Sequence, residues 1–424
     1  MPRLDSHASG VGRDRWLRYY TRVAVWLLGA LALVAPSGYS IGATLLLLGS
    51  PVLLFTRPAL GLTRRDWLVI AVLAGYGLLA MLLALSGGLG LRGFDRPVRF
   101  LLGVPILLLV MAYPPRRAWL WAGLAVGAIG AGGIAGWQRL IAGVERSAGF
   151  LHPIQFGNIG MLMGVLCLAG LGWAVVQRHR HGWVGLLLLG ALGGFLASVL
   201  SGSRGGWIGL PLMLLVLYRA YGREFSLSGR VTALAGVALM VALAWFTPQT
   251  GVQHRVALAV TEVGQYVSGE RVDTSVGFRF DMWKGASRLF VDKPLLGWGE
   301  HGYQRGMQQL AEEGVIHEDA ALFRHAHNEF LDHAAKHGAV GLLALLALYL
   351  VPIALFAPGL KAASLAERAP ATAGTLLSVA YIDFSLTQGF LSHNSGVMVY
   401  TLWLAVLWGS YRARPAPDRG QAFK

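Results

Sequence analysis

Charge is scarce in this chain. Only 13% of its residues are Asp, Glu, Lys or Arg, against about 25% in an ordinary soluble domain, which argues against a cytosolic globular enzyme. Acidic residues are the scarcer sign, 21 against 36 Lys and Arg, for a net charge of +15. Cysteine is nearly absent. Cys167 stands alone within an apolar run, so no internal disulfide can form and redox compartment cannot be read from it. No internal repeat of the kind that marks an inverted-repeat transporter is visible. What is abundant is apolar surface: 55% of residues are hydrophobic and the mean hydropathy is +0.55, which excludes disorder. A polytopic membrane protein fits.

A spanning helix needs about 20 mostly apolar residues. Twelve runs meet or approach this length, at 20–37, 38–56, 66–86, 98–113, 117–137, 153–176, 183–200, 207–219, 230–247, 338–356, 371–389 and 395–411. The run at 207–219 is short, and 20–56 and 98–137 have weak divides. The expected fold class is therefore an all-α polytopic membrane protein of about twelve transmembrane helices. A basic start, with Arg3, Arg13, Arg15, Arg18 and Arg22 leading into a long apolar stretch, suits a retained first helix better than a secretory leader.

The basic excess is better read as topology than as nucleic-acid binding, because cytoplasmic loops are enriched in Lys and Arg. With both ends placed inside, the inner segments hold twenty-one of the basic residues. The short outer loops hold six: Arg92, Arg96, Arg99, Arg139, Arg146 and Arg204. The other nine lie in one long outer segment. Residues 1–19 and 412–424 then form a cytoplasmic start and tail. The first nine spans occupy 20–247, the long outer segment 248–337, and the last three spans 338–411.

The outer segment 248–337 carries twelve of the acidic residues and seven of the histidines. Loops longer than about 15 residues are usually functional or disordered, and this one is not low-complexity. It is expected to be mostly helical, with an amphipathic helix at 254–268 and a second at 279–290. A Pro- and Gly-rich turn follows at 294–299, and a third helix begins near Asn328 and enters the tenth span.

Three places could carry chemistry. Ser201-Gly202-Ser203-Arg204-Gly205-Gly206 joins the seventh and eighth spans at the outer face. Its glycines let backbone approach a ligand and its guanidinium suits phosphate oxygens. It reads equally as a tight interhelical turn whose arginine snorkels into headgroups. Arg279, flanked by Phe278 and Phe280 and followed by Trp283, could hold a diphosphate or stack on a sugar, or anchor the interface beside Asp281 or Glu270. Arg288 is a weaker companion. The third place is the cluster from Arg324 through His325, His327, Asn328, Glu329, Asp332, His333 and Lys336 to His337. Histidine can take a proton near neutral pH, so a base is a candidate beside a solvated helix entry. His333 and His337 share a helical face, but Ala334 stands where a zincin would need glutamate, and no metal is expected. Asp383, inside the eleventh span, needs a partner or a cavity. Gln155 and Asn158 in the sixth span are milder intrusions, read as helix–helix glue.

These residues and their order resemble the lipopolysaccharide O-antigen ligases of the O-antigen ligase and polymerase superfamily. The family's pattern of His, Asn/Ser/Gln, nine residues, Gly, two residues and Gly/Thr/Tyr is matched by His327, Asn328, Gly338 and Gly341. Its Ser-Arg-Gly-Gly turn is matched at 203–206. Its second arginine, with a following Trp and a Pro-Leu-Leu-Gly-x-Gly stretch, is matched by Arg279, Trp283 and residues 294–299.

The resemblance implies a bacterial inner-membrane protein with a periplasmic active site. Such ligases move O-antigen from undecaprenyl diphosphate to lipid A-core oligosaccharide without nucleotide, cofactor or metal. It carries the catalytic histidine to His327 and the two essential arginines to Arg204 and Arg279. Asn328, Arg288, Trp283, Arg324 and His325 are expected to contribute to substrate binding. Ligase and polymerase are poorly separated by these motifs. A transporter, the rival of another class, would need charged pairs on both sides of a central path.

Overall fold

The computed structural model describes residues 5–203, 205–247 and 251–413. Among them the chain is all helix and connecting turn, with no strand. The helices, in chain order, are α1 (Asp5–Ala30), α2 (Gly38–Gly49), α3 (Val52–Thr56), α4 (Arg64–Ser86), α5 (Pro97–Ala112), α6 (Arg117–Gly136), α7 (Pro153–Ala174), α8 (Arg180–Leu200) and α9 (Leu210–Tyr221). They continue with α10 (Leu227–Phe246), α11 (Val252–Ser268), α12 (Ser275–Asp292), α13 (Gly299–Glu312), α14 (Glu318–Ala321), α15 (Glu329–Phe356), α16 (Leu365–Thr387) and α17 (Asn394–Arg412).

Each of the twelve apolar runs lies at least partly on helix, but 31–37 is turn and 38–56 is divided between α2 and α3. By length and composition, six helical stretches are able to cross a membrane: Gly38–Thr56, Arg64–Ser86, Arg117–Ile141, Pro153–Ala174, Arg180–Leu200 and Glu329–Lys361. The helices Pro97–Ala112 and Leu210–Tyr221 are apolar but shorter. The protein is thus a multi-pass helical membrane protein.

Its bundle packs by close backbone approach. In a membrane the lipid tails are as apolar as leucine, so small residues that let helices touch supply the contact. A side chain at Gly193 would strike the backbone of Ala128 and Ile129 in α6, and one at Gly194 the backbone of Gly160 and Gly164 in α7. Helix α7 is apolar on all sides and is 83% buried over its spanning window, which puts it at the centre of the bundle. It contacts α8, α6 and α16, while α17 packs on α5.

The segment between α10 and α15 has a core of its own. Met282, Ala286 and Leu289 of α12 pack with Tyr303, Met307 and Leu310 of α13, and with Ile316, Ala320 and Ala321 around α14. The expected helices at 254–268 and 279–290 appear as α11 and α12. Helix α13, not among the helices expected from the sequence, closes the other side of this core.

Helix α15 does begin at Asn328 and run into an apolar stretch, but it is broken at Gly338 (φ 63°, ψ −162°). The turn 294–297 causes the break. Ala339 N–H donates to the Pro294 carbonyl at 2.7 Å, and Trp298 N–H donates to the Ala335 carbonyl at 3.0 Å. A Cβ at Gly338 would lie 2.3 Å from the Leu295 carbonyl, and the positive φ favours glycine as well. Two stretches forty residues apart in sequence are therefore one structural joint, fixing the inserted segment to the bundle.

Candidate active site

His327 sits in the short connection between α14 and α15. Polar bonds hold that connection from both sides. Trp283 Nε1–H of α12 donates to the Ala326 carbonyl at 3.0 Å, and Ala326 N–H donates to Asp332 Oδ1 at 3.0 Å. Lys336 Nζ donates to the Arg324 carbonyl at 2.8 Å and pairs with Asp332 and Glu300, each at 3.0 Å. Asn328 caps α15, its Oδ1 accepting from the N–H groups of Phe330 and Leu331, as a short polar residue at this position should. Its amide also donates to the Leu386 carbonyl.

Held in this way, His327 adopts φ 48°. A left-handed backbone costs a non-glycine residue energy and persists where the surroundings over-determine it, often at functional sites. Its half-buried ring faces Gln388, beyond the end of α16. Nδ1 and Gln388 Oε1 are 2.8 Å apart, and Gln388 Nε2 lies 3.3 Å from His393 Nε2. With the carbonyl of Gln388 accepting, Nδ1 carries the proton and the lone pair is left on Nε2. Burial pulls the His327 pKa below its ordinary value, and the positive charge of Arg279 adds to this. The bond to Gln388 opposes it, as does Asp332. The balance favours a neutral imidazole at pH 7.

Arg279 lies on α12, half-buried, and no carboxylate or carbonyl among the described residues accepts from its guanidinium. Burial lowers its pKa and the charge of Glu262 partly offsets this. A guanidinium with no hydrogen-bonded acceptor among the described residues, near a neutral imidazole, is arranged to receive an anion.

The other sequence-predicted residues are less uniform. His325 abuts His327, with ring centroids 4.1 Å apart, and accepts the His327 N–H on Nδ1. Burial and the neighbouring His327 push its pKa down to about 4. Trp283 spends its indole N–H on the loop, and Asn328 spends its amide on α15 and Leu386, so both hold the site in shape. Arg324 is exposed. Arg288 is not brought to the site: it is exposed, nine residues and hence half a turn away from Arg279 on α12, and lies 4.0 Å from Asp292. His333 and His337 are stacked edge to face 5.6 Å apart. Both nitrogens of His333 have protein partners, Tyr76 Oη and the Glu329 carbonyl.

Arg204 lies outside the described residues. Its neighbours are clear. Ser203 Oγ donates to Asn158 Oδ1 at 2.8 Å, and Gly205 presses on Thr387, the residue before Gln388. The Gly-rich turn is therefore packed against the same end of α16 that orients His327. Asp383 of α16 accepts the Gly209 N–H at 2.7 Å through one oxygen, while the other has no hydrogen-bond partner. No arginine pairs with it among the described residues.

Gln388 is the residue that sequence reasoning missed. A single glutamine between a span and a loop has no spacing signal, and only folding brings it to a histidine 61 positions earlier.

Fold and site together define a multi-pass helical membrane protein with a histidine and an arginine gathered at one end of its bundle, where an inserted helical segment joins it. Residues 189–346 match the family model described as O-Antigen ligase. That match takes in the Gly-rich turn, α12 and His327, and supports a likeness of this segment to that family. The chain is also 26% identical over 393 residues to a Haemophilus influenzae protein described as uncharacterized, covering 92% of this chain and 97% of that one. The family consists of membrane glycosyltransferase-type enzymes acting on lipid-linked glycans.

Proposed function

We propose that the protein is an O-antigen ligase, an inverting, metal-independent glycosyltransferase of the bacterial inner membrane. Its site faces the periplasm and both termini are cytoplasmic. The donor is O-antigen on undecaprenyl diphosphate, and the acceptor is lipid A-core oligosaccharide.

The observation that carries the reading is the His327–Gln388 bond beside an unpaired Arg279. A glycosyl diphosphate is already activated, so the protein has two tasks. It must take the proton of an acceptor hydroxyl, and it must stabilise the charge that grows on the leaving diphosphate. His327 Nε2 accepts the hydroxyl proton as general base. The hydroxyl oxygen attacks the anomeric carbon, the bond to the diphosphate oxygen breaks, and the electron pair leaves with undecaprenyl diphosphate. A single displacement inverts the anomeric configuration. Arg279 holds the diphosphate through charge-assisted hydrogen bonds, with Arg204 as its second cation. His325, kept neutral beside His327, lets the base work without a competing positive charge.

Purified protein in detergent, given undecaprenyl-diphosphate-linked O-antigen, lipid A-core and EDTA, tests this directly. A ladder of chains attached to lipid A-core is expected. Longer lipid-linked chains over an untouched core would make the protein a polymerase, and no transfer of either kind by folded protein would return attention to the transporter reading.

A further inference from the structure

A second polar feature lies on the far side of Gln388 from His327. A cavity of about 450 Å³ opens there. It is bordered by the starts of α7 and α17 and by Arg96, the residue before α5. Helix starts leave N–H groups without partners and carry partial positive charge. At α17 that charge is uncapped, because the His393 side chain bonds none of the first-turn amides, and Asn394 and Ser395 of that turn line the cavity.

Gln155 gives the independent sign of a ligand. It lines the cavity, is 2% exposed, and has no hydrogen-bond partner on either amide atom among the described residues. Leaving a buried amide unpaired is unfavourable, and no neighbouring helix supplies the missing partner among those residues.

Arg96 is the cavity's cation. It donates to the Ser392 carbonyl at 2.6 Å and pairs with no carboxylate among the described residues. The carboxylate at the rim, Asp95, is bound to Arg99 at 2.9 Å. Burial lowers the pKa of His393 and of His152, and neighbouring cations depress both further, Arg96 acting on His393 and Arg146 on His152.

The geometry points to a phosphate-binding subsite in this cavity, taking a phosphate group carried by the acceptor. The assignment to the acceptor rests on the ligase reading, in which Arg279 and Arg204 already hold the donor's diphosphate. An acceptor phosphate anchored between Arg96, the Gln155 amide and the α17 amides lies one glutamine away from the base. Gln388, bonded to both His327 and His393, then connects acceptor binding to the orientation of the imidazole.

The test is equilibrium binding of lipid A-core to the full chain in a phosphate-free maltoside detergent, with transfer followed separately. Phosphorylated lipid A-core is compared with the same acceptor stripped of its phosphates. Wild type is expected to bind the phosphorylated form at least tenfold more tightly. Arg96→Ala is expected to reduce the gap to about twofold. Gln155→Glu, nearly isosteric and of the wrong charge, is expected to abolish it, and Arg96→Lys to restore part of it. Equal affinity for the two acceptors, or a gap that Arg96→Ala leaves intact, overturns the proposal. Competition by phosphatidic acid with no gap between the acceptors assigns the cavity to a bilayer headgroup and overturns the acceptor assignment. A phosphate gap without transfer preserves the subsite and removes the ligase reading. Transfer without a gap does the reverse.

Discussion

The membrane bundle and the inserted segment solve the problem of holding side chains in place by different means. In the bundle, small residues bring backbones together, as at Gly193 and Gly194, and the central helix is buried almost all round. The inserted segment has too few apolar residues for that. It closes a small core of α12, α13 and α14 and fixes the rest by polar bonds. Asp281 alone takes the Tyr266 hydroxyl and the His317 N–H, each at 2.7 Å, and Lys336 ties Glu300 to Asp332.

The site needs both regions. The insert supplies Arg279 and His327, and the bundle supplies Gln388 and the bed for the Gly-rich turn. The proposed reading puts the chemistry at the joint between them, where the insert's polar residues meet the closely packed bundle.

The difference can be broken from either side. The largest effect is expected from His327→Ala, which removes the base and should lower the rate of transfer by about 10²–10⁴-fold with thermal unfolding unchanged. Arg279→Gln removes a donor aimed at developing charge, and a fall of about 10²–10³-fold in kcat is expected. If kcat held and only KM rose, Arg279 would bind the ground state alone. Gln388→Leu tests the bundle's share. A hydrogen bond to an ionising group is worth about 1.5–3 kcal/mol, so transfer should drop roughly ten- to a hundredfold, with the donor KM nearly unmoved. Gly194→Ala should leave chemistry alone and cost about 1–3 kcal/mol of stability by overpacking α8 against α7, read as a lower Tm. A Tm unchanged by this substitution would mean the bundle is looser than its backbone contacts imply.

Much of this was legible before folding. The apolar runs mark the helices because a helix satisfies its own backbone in lipid, and α11 and α12 follow from amphipathic spacing. His327, Arg279 and the Gly-rich turn stand out because charge is otherwise rare. Helix α13 was hidden by Gly299, Gly302 and Gly306, which lower helix propensity but here let α13 pack closely, Gly306 against Leu289. The joint of Gly338 with the 294–297 turn is a long-range contact with no local signature. Arg288 looked useful by proximity in sequence and is turned away by helical geometry. Trp283 and Asn328, read from sequence as substrate-binding residues, use their polar atoms to hold the loop, which sequence cannot reveal.

The central claim is that His327 works as a neutral base whose protonation is governed partly by Arg279. The pH dependence of kcat/KM for transfer, in wild type and Arg279→Gln, tests it most directly. Burial and Arg279 both lower the pKa of His327, so the wild-type rate should be flat through pH 7 and fall only in acid, below the ordinary histidine value of about 6.5. Removing the positive charge at 279 should move that acidic limb to higher pH while lowering the plateau. An acidic limb that stays where it was in the variant, or a wild-type rate that does not fall in acid at all, would contradict the account.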